Sequence, residues 1–417
     1  MNTPAPVSEI SSAPTSQPAK PPSRRSKRLA QVLDLEDFER AARRRLPRAI
    51  YGYVAHGAET ETTLRTNRAV FDEWRLVTRV LVGVEQRSLR INLFGHDYAA
   101  PFGIAPMGGS ALVAYDGHAV MARAAAKARI PFILSANSII PLEEIAKANP
   151  NTWFAAYQSP NREAIEGMVD RVARAGIAVL VVTADVPIGS NREFDARAGF
   201  SFPIRPHPRL VWDVATHPRW LVGTLTRTFL RRGIPEIVNL EPDGGPNLFS
   251  QRVKSIAAHE ALNWEHIRLM RQRWTGPFVV KGMLSPDDVA LARKIGVDGV
   301  ILSNHGGRQL DYAVSPLSIL EEAVMASHGM TVMIDSGFRR GTDIVKALAL
   351  GADAIFVGRP FLFAASLAGE EGVSHAIALL AKELDTDMAL LGRRQIEDIG
   401  RKCLIPVGDS VARSVAG

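Results

Sequence analysis

A histidine and an arginine three residues apart are the strongest candidates for chemistry in this sequence. His305 and Arg308 lie within residues 303–311, directly after an apolar run at residues 299–302 that predicts a buried strand. An imidazole and a guanidinium fixed at a strand end can take a proton from a small acid and bind its carboxylate. The alternative is a turn in which His305 caps a helix and Arg308 is solvated, which the two glycines would also fit. We favour the catalytic interpretation.

Two glycine-containing turns further along the chain predict a phosphate site. Gly337 and Arg339 follow the apolar run 331–334, and Gly358 and Arg359 follow the run 354–357. Free backbone N–H groups and an arginine at each of two successive strand ends would form a concave site for a phosphate monoester. Such glycines usually mark tight turns only, but the doubled pattern with arginine favours phosphate.

Composition narrows the class of protein. The 417 residues are ample for a substantial core. The single cysteine, Cys403, excludes an internal disulfide and predicts a buried or incidental thiol in a reducing compartment. Residues 1–30 are rich in Pro, Ser, Ala and Thr with clustered Lys and Arg, which predicts a disordered basic tail. No apolar run resembles a secretory signal or a membrane span, so cytoplasm is the expected location. Neither zinc spacing nor an interleaved basic-aromatic pattern supports nucleic-acid binding.

Residues 31–417 show a repeating pattern of short apolar runs followed by helical segments. The runs lie at residues 102–105, 132–134, 153–156, 179–182, 278–280, 300–302, 332–334 and 355–357. Strands that are apolar throughout are buried on both faces, as in parallel sheets. Eight strand-helix units therefore predict an α/β fold, a single (β/α)8 TIM barrel with N-terminal helices. A doubly wound sheet is the alternative, because periodicity cannot prove closure.

Residues 199–263 interrupt this pattern as a long insertion after the fourth strand. Within residues 220–232, three apolar side chains share a predicted helical face framed by arginines: Leu221, Leu225 and Phe229, with Arg227, Arg231 and Arg232. Such a helix either packs on the barrel or another subunit, or dips into a membrane surface with its arginines on headgroups. Of these two interpretations, we favour contact with a membrane surface.

The residues that follow the apolar runs form one set. They are Pro106, Met107, Gly108, Ser135, Tyr157, Thr183, Asp185, Lys281, His305, Arg308, Gly337, Arg339, Gly358 and Arg359. In a barrel of this kind, functional groups come from the carboxyl ends of the strands. Singly, each has a structural explanation, but so many charged and polar groups at one rim predict an active site.

These motifs resemble a known family. From about residue 34 to residue 396 the sequence is similar to the FMN-dependent L-2-hydroxy acid oxidising enzymes, with residues 303–311 and 335–341 matching the family's signatures. Residues 310–314 with Pro316, and residues 335–352, look closest to the mandelate dehydrogenase branch. That branch and the bacterial lactate dehydrogenases carry a membrane segment where residues 199–263 lie.

The resemblance implies a role for each matching residue. His305 would remove the Cα proton, or the hydroxyl proton if a hydride moves to the flavin, and Asp185 would orient it. The substrate-binding residues would be Arg308, Arg192, Tyr53 and Tyr157, with Tyr157 on the substrate hydroxyl and the others at its carboxylate. Lys281 would stabilise negative charge on the flavin ring. The other FMN-binding residues would be Pro106, Met107, Gly108, Ser135, Thr183, Ser303, Asp335, Gly337, Arg339, Gly358 and Arg359. Of these, Gly337, Arg339, Gly358 and Arg359 would contact the phosphate.

Two positions depart from the family pattern. Ala155 stands where the family usually has glutamine, which removes a polar flavin contact, and Asn137 stands where relatives often carry an aromatic or aliphatic pocket residue. Flavin potential and side-chain preference are therefore the properties that the resemblance predicts least.

The resemblance also implies partners. We expect a small 2-hydroxy acid, mandelate-like or lactate-like, as substrate, a quinone or another carrier as electron acceptor, a homo-oligomer (a tetramer), and a peripheral position on the inner face of the cell membrane. The alternatives are an oxidase that makes hydrogen peroxide, a relative that oxidises a peptide-derived hydroxy acid or amine, and a catalytically dead nucleic-acid-binding scaffold. The intact set of His305, Arg308, Lys281 and Asp185 argues against the scaffold, so no nucleic-acid partner is expected.

Overall fold

Eight parallel strands close into a barrel in this computed structural model, which describes residues 29–252 and 259–408. The barrel strands in chain order are β4 (Phe102–Ile104), β5 (Phe132–Ser135), β6 (Thr152–Ala156), β7 (Val179–Thr183), β8 (Phe278–Met283), β9 (Gly299–Leu302), β10 (Thr331–Ile334) and β11 (Ala354–Val357). Each strand pairs with its chain neighbour, and β11 closes the ring by pairing with β4. The predicted TIM barrel is thus confirmed, and the doubly wound alternative is wrong.

The strands form a closed barrel because nearly all of their side chains are apolar and buried. Trp153 and Phe356 fill the interior, with ring centroids 5.4 Å apart. A hairpin of β2 (Ile91–Leu93) and β3 (His96–Tyr98) covers the amino ends of the strands, where Phe94 packs on Trp153. The Tyr98 hydroxyl accepts a hydrogen bond from the Trp153 indole at 3.0 Å. These contacts close the amino end of the barrel, and in barrels of this kind the opposite end carries the functional site.

Helices surround the barrel and precede it. They are α1 (Leu35–Arg45), α2 (Arg48–Ala55), α3 (Thr62–Ala69), α4 (Ser110–Val113), α5 (Gly117–Ala128), α6 (Leu142–Ala148), α7 (Arg162–Arg174), α8 (Glu193–Ala198), α9 (Pro208–Ala215), α10 (Pro218–Trp220), α11 (Arg227–Arg232), α12 (Trp264–Arg273), α13 (Pro286–Ile295), α14 (Leu320–Ser327), α15 (Gly341–Ala349), α16 (Arg359–Ala368) and α17 (Glu370–Leu390). Two further strands, β1 (Trp74–Leu76) and β12 (Leu404–Pro406), pair antiparallel and connect the segment before the barrel to the segment after it.

Local sequence explains the N-terminal helices. Asp34 caps α1 by accepting a hydrogen bond from the Asp37 amide at 2.8 Å, and Pro47 precedes α2. A side-chain acceptor satisfies an orphan N–H at a helix start, and proline is tolerated there. The N-terminal helices predicted from the sequence are thus present, at Leu35–Arg45 and Arg48–Ala55. Because α2 ends beside the open end of the barrel, it reaches the site described below.

The insertion is anchored to the barrel by polar contacts. Trp220 donates to the Leu112 carbonyl at 2.7 Å, and Arg232 contacts Asp116 at 3.0 Å and Glu144 at 2.6 Å. Arg232 therefore does not frame an exposed apolar face, contrary to the sequence-based expectation.

The exposed face of this segment also differs from the predicted one. A π-helix spans Leu221–Thr226 between α10 and α11, and its i→i+5 pitch shifts the side chains relative to an α-helix. Leu221 and Leu225 consequently pack against the core. Among the described residues of the insertion, the exposed large apolar side chains are Phe202, Val211, Trp212, Val222, Phe229, Leu230, Ile234 and Phe249.

The chain ends and the cysteine need only brief description. The predicted tail at residues 1–30 lies outside the described residues except for residues 29 and 30, and Leu29 is buried. Cys403 is a buried free thiol. Within residues 29–252 and 259–408, no helix has the length and apolar character needed to cross a membrane.

Candidate active site

The carboxyl ends of the barrel strands surround a cavity of about 770 Å³. Fourteen of the predicted site residues line it: Tyr53, Pro106, Met107, Gly108, Tyr157, Arg192, Lys281, His305, Arg308, Asp335, Gly337, Arg339, Gly358 and Arg359. The other four do not line it: Ser135, Thr183 and Ser303 are buried, and Asp185 contacts His305. The structure thus brings together side chains that are dispersed over about 300 residues of sequence.

His305 and Asp185 form the central pair. The Nδ1 atom of His305 lies 3.1 Å and 3.2 Å from the two carboxylate oxygens of Asp185. His305 is in the left-handed region at φ +58°, and its amide donates to the Ser303 hydroxyl at 3.0 Å. A non-glycine residue in this region is strained, which is common at functional sites. The hydrogen bond to Asp185 leaves Nε2 of His305 to face a substrate.

Opposing effects set the protonation of this pair. Burial lowers the pKa of His305, and Asp185 only partly offsets that effect. Burial raises the pKa of Asp185, but the nearby charges of His305 and Lys281 outweigh it and leave that pKa below its ordinary value. Near neutral pH the imidazole is therefore uncharged and the carboxylate ionised, which is the arrangement that a general base requires.

Lys281 is fully buried behind the pair and is held by two partners. Its Nζ atom lies 3.1 Å from Asp335 Oδ2 and donates to Ser303 Oγ at 2.8 Å. Burial lowers the pKa of Lys281, but the charges of Asp335 and Asp185 outweigh this and raise it above its ordinary value. The cavity wall therefore carries a fixed positive charge.

Arg308 and Arg192 line the cavity without a carboxylate partner among the described residues. Arg192 donates to Ser190 Oγ at 2.9 Å and to Gln309 Oε1 at 3.1 Å. The Arg308 guanidinium lies 5.0 Å from the centre of the Tyr53 ring. Burial and then Arg308 lower the pKa of Arg192 to about 10, so Arg192 stays charged at neutral pH. Asp195 lines the same cavity, and its charge interacts with both arginines without forming a direct ion pair. Two partly desolvated guanidinium groups that no carboxylate contacts directly favour a bound anion.

Arg339 and Arg359 form a second pair of buried cations, near β10 and β11. Burial and the neighbouring Arg308 lower the pKa of Arg359 to about 9, and burial also lowers the pKa of Arg339. Within residues 29–252 and 259–408, neither forms an ion pair with a carboxylate. Gly337, at φ +92°, lies so close to the Asn67 carbonyl that a Cβ would collide with it. Together with the amino end of α16, these groups fit a phosphate.

Helix α2 holds two of these arginines in place through its carboxyl end. Arg308 donates to the Tyr53 carbonyl at 2.6 Å and to the His56 carbonyl at 2.9 Å. Arg359 donates to the Val54 carbonyl at 2.8 Å. The last carbonyls of a helix have no partner within the helix, so these guanidinium groups satisfy them. The sequence analysis assigned Tyr53 to the substrate carboxylate and did not identify this backbone contact.

Tyr157 lies in the cavity with a hydroxyl that makes no hydrogen bond to the described part of the chain. Burial raises the pKa of Tyr157, and Asp185 raises it further, so the phenol stays protonated. A protonated, unpartnered hydroxyl can donate to a ligand.

Sequence reasoning missed Gly282 and Ser336. Gly282 has φ +106°, and a Cβ there would lie 2.5 Å from Asp185 Cβ. Ser336 donates to Asp335 Oδ1 at 2.8 Å and accepts from the Gly306 amide at 3.1 Å, which links the two signature loops. Their only sequence signal was their position beside Lys281 and Asp335.

The arrangement as a whole is a base, a carboxylate that orients it, and two separate anion sites in one cavity. The FMN-dependent dehydrogenase family profile matches residues 42–406. This chain belongs to the FMN-dependent dehydrogenase family. Its anion site at Arg339 and Arg359 fits the phosphate of FMN, and the buried charge of Lys281 fits an electron-accepting ring.

Several members of the FMN-dependent dehydrogenase family are similar to this chain along most of its length. It is 39% identical over 363 residues to (S)-mandelate dehydrogenase of Pseudomonas putida, covering 87% of this chain and 91% of that enzyme. It is 37% identical over 376 residues to L-lactate dehydrogenase of Stenotrophomonas maltophilia, covering 88% and 97%. A crystal structure of the monotopic membrane protein (S)-mandelate dehydrogenase superposes with a TM-score of 0.85 at 37% identity, covering 90% of this chain and 100% of that one.

Proposed function

We propose that this protein oxidises an L-2-hydroxy acid to the corresponding 2-oxo acid with FMN as its cofactor. The observation that carries the proposal is the position of His305, hydrogen-bonded to Asp185, in one cavity with the unpaired cations Arg192 and Arg308. A 2-hydroxy acid offers a carboxylate to the cations and a proton to the base. Family membership and the similarity to mandelate and lactate dehydrogenases support the same reaction.

In this proposal each side chain performs one task. Arg308 and Arg192 bind the substrate carboxylate, and Tyr157 donates a hydrogen bond to its hydroxyl oxygen. His305 Nε2 accepts a proton from the substrate, and Asp185 stabilises the imidazolium that results. Bound FMN supplies the acceptor for the two electrons that leave the substrate.

We assign the remaining residues to FMN. Arg339 and Arg359, with the backbone at Gly337 and Gly358, hold the phosphate, and Lys281 places positive charge beside the ring. Asp335 acts through Lys281, whose ammonium it contacts at 3.1 Å. The other residues that we assign to the ring or the ribityl chain are Pro106, Met107, Gly108, Ser135, Thr183 and Ser303.

We further propose that the electrons pass to a membrane quinone. The insertion exposes Trp212, Val222 and Leu230, and a similar structure is described as that of a monotopic membrane protein. Exposed aromatic and aliphatic side chains beside arginines suit a peripheral membrane contact on the inner face of the cell membrane. We also propose that several copies assemble into a homo-oligomer. The exposed apolar side chains of Val80 and Leu81, on a loop outside the insertion, support this assembly. Measurement of the molecular mass in solution tests it.

Anaerobic addition of a hydroxy acid to the purified yellow protein tests the oxidation. L-lactate or (S)-mandelate should bleach the flavin absorbance and yield the 2-oxo acid. His305→Gln should retain FMN but reduce it about 10²- to 10⁴-fold more slowly, because it removes the general base. Reduction at the wild-type rate in His305→Gln would contradict the assignment.

Stopped-flow reoxidation tests the acceptor. A soluble quinone should restore oxidised flavin much faster than air does. Rapid recovery in air with stoichiometric peroxide, and without any gain from quinone, would make the protein an oxidase instead.

A further inference from the structure

His259 is a buried polar residue in the cavity that the proposed reaction does not use. Its side chain is 5% exposed, and neither ring nitrogen forms a hydrogen bond to any residue that the structure describes. Its backbone amide donates to the Pro187 carbonyl at 2.9 Å, which fixes the residue beside the end of β7. A buried, unpartnered imidazole is unusual, because burying a polar group without a partner is costly.

The position of His259 relates it to the substrate rather than to the phosphate. Its ring centroid lies 6.0 Å from that of Tyr157, which follows β6. In the closed barrel, β6 and β7 lie opposite β10 and β11, whose loops carry the phosphate-binding arginines. His259 therefore lies at the end of the cavity where a substrate side chain would extend past Tyr157.

The cavity that contains His259 has apolar walls as well as uncharged polar groups. Ile139, Ile237, Leu240 and Leu248 line the same cavity. Asn137 also lines the cavity, and its side-chain carboxamide makes no hydrogen bond to the described residues. Burial lowers the pKa of His259. The Gln158 carbonyl is near enough to oppose this effect in part, although its geometry does not meet that of a hydrogen bond to either ring nitrogen. The imidazole is therefore neutral near pH 7. A neutral imidazole has one N–H donor and one acceptor.

We propose that His259 selects 2-hydroxy acids whose side chain carries an uncharged hydrogen-bonding group, such as a hydroxyl, on an apolar body. This specificity rests on the proposed function and narrows its substrate class. The apolar walls would hold the body of the side chain, and the imidazole would bind its hydroxyl. A second carboxylate is disfavoured there, because the imidazole is uncharged and Glu260 lines the same cavity.

Comparison of (S)-mandelate with its 3-hydroxy and 4-hydroxy derivatives tests the proposal. The ring hydroxyl also changes the reactivity of the substrate, so the informative quantity is the change in the kcat/KM ratio between wild type and variant. For each hydroxylated derivative, the ratio is its kcat/KM divided by that of (S)-mandelate. His259→Phe should lower this ratio about tenfold or more for whichever derivative the wild type prefers, since the hydroxyl loses its partner. His259→Asn, which keeps a donor and an acceptor, should recover part of this ratio. Ile237→Val, a change in the apolar wall, should leave the ratio within about twofold.

Binding of acids that cannot be oxidised separates this proposal from the proposed function. Phenylacetate and its 3-hydroxy and 4-hydroxy derivatives can be titrated while the flavin spectrum is followed. Their affinity ratio should show the same dependence on His259. If no hydroxy acid bleaches the flavin but this dependence remains, the oxidation is wrong and the role of His259 stands. If His259→Phe weakens the binding of phenylacetate and of its hydroxy derivatives equally, or weakens the binding of neither, the proposed role of His259 is wrong.

Discussion

The Nδ1 atom of His305 lies 3.1 Å from one carboxylate oxygen of Asp185 and 3.2 Å from the other, although 120 residues separate the two in the chain. The residues come from the ends of β9 and β7, which are separated only by β8. The contact fixes one face of the imidazole and leaves the other to the cavity. The proposed chemistry depends on this geometry more than on any other contact in the protein.

Asp185→Asn should change both the rate and the pH dependence of flavin reduction. The base is active when His305 is neutral, so kcat/KM rises as pH increases through the pKa of His305. Burial already lowers that pKa below 6.5, and Asp185 raises it in part. Removal of the Asp185 charge should therefore move the acid limb to lower pH, while the plateau falls roughly tenfold or more because the imidazolium loses its partner. A pH profile of rapid-reaction rates measures both changes, and an acid limb that moves to higher pH would contradict the pairing.

Arg308→Lys should weaken substrate binding and slow flavin reduction. An ammonium cannot reproduce the planar two-point contact of a guanidinium with a carboxylate, and it cannot reach the Tyr53 and His56 carbonyls in the same way. We expect a partial loss, on the order of tenfold or more in kcat/KM, because Arg192 shares the anion. Arg192→Lys is the matched control and should show a smaller effect. Wild-type kinetics in Arg308→Lys would place Arg308 outside the substrate site.

Gly282→Ala should impair catalysis without contacting substrate. A Cβ at Gly282 would lie 2.6 Å from Asp185 Cγ, so the carboxylate must move away from His305. The rate should fall towards that of Asp185→Asn, with FMN retained. Gly296→Ala is the control, since Gly296 also has positive φ, +87°, but nothing lies within 4 Å of its added Cβ. The control should cost about 1 kcal/mol of stability and leave turnover unchanged. Equal turnover in the two variants would argue against this role for Gly282.

Replacement of Trp212, Val222 and Leu230 by serine should release the protein from membranes. These side chains are 72%, 66% and 79% exposed, so the change removes no core packing. Binding to vesicles that contain anionic lipid should fall at least about tenfold, because each of these side chains would contribute on the order of 1 kcal/mol or more on insertion into the membrane. The matched control is serine at Leu33, Met325 and Leu390, which are 72%, 68% and 67% exposed in other elements. Co-sedimentation of both triple variants at the wild-type level would exclude this surface as the membrane contact.

The sequence by itself determined the fold and most of the cavity wall. Strands such as Val179–Thr183 are apolar throughout, which only burial on both faces explains, and their regular alternation with helices leads to a barrel. Parallel strands in a barrel all end at one rim, so the sequence alone groups the residues that follow each apolar run. The resemblance to the family then assigned a role to each of them, including His305 and Arg308.

Only the tertiary structure decided the contacts between distant segments. The π-helix Leu221–Thr226 shifted the exposed face of the insertion, because a single added residue per turn cannot be read from apolar spacing. The clash that reserves position 282 for glycine depends on the distance between neighbouring strands. The burial of His259 without a described partner depends on how the insertion packs over Tyr157. Sequence periodicity reports which residues are buried, but it does not report which buried groups meet, because that depends on packing between elements far apart in the chain.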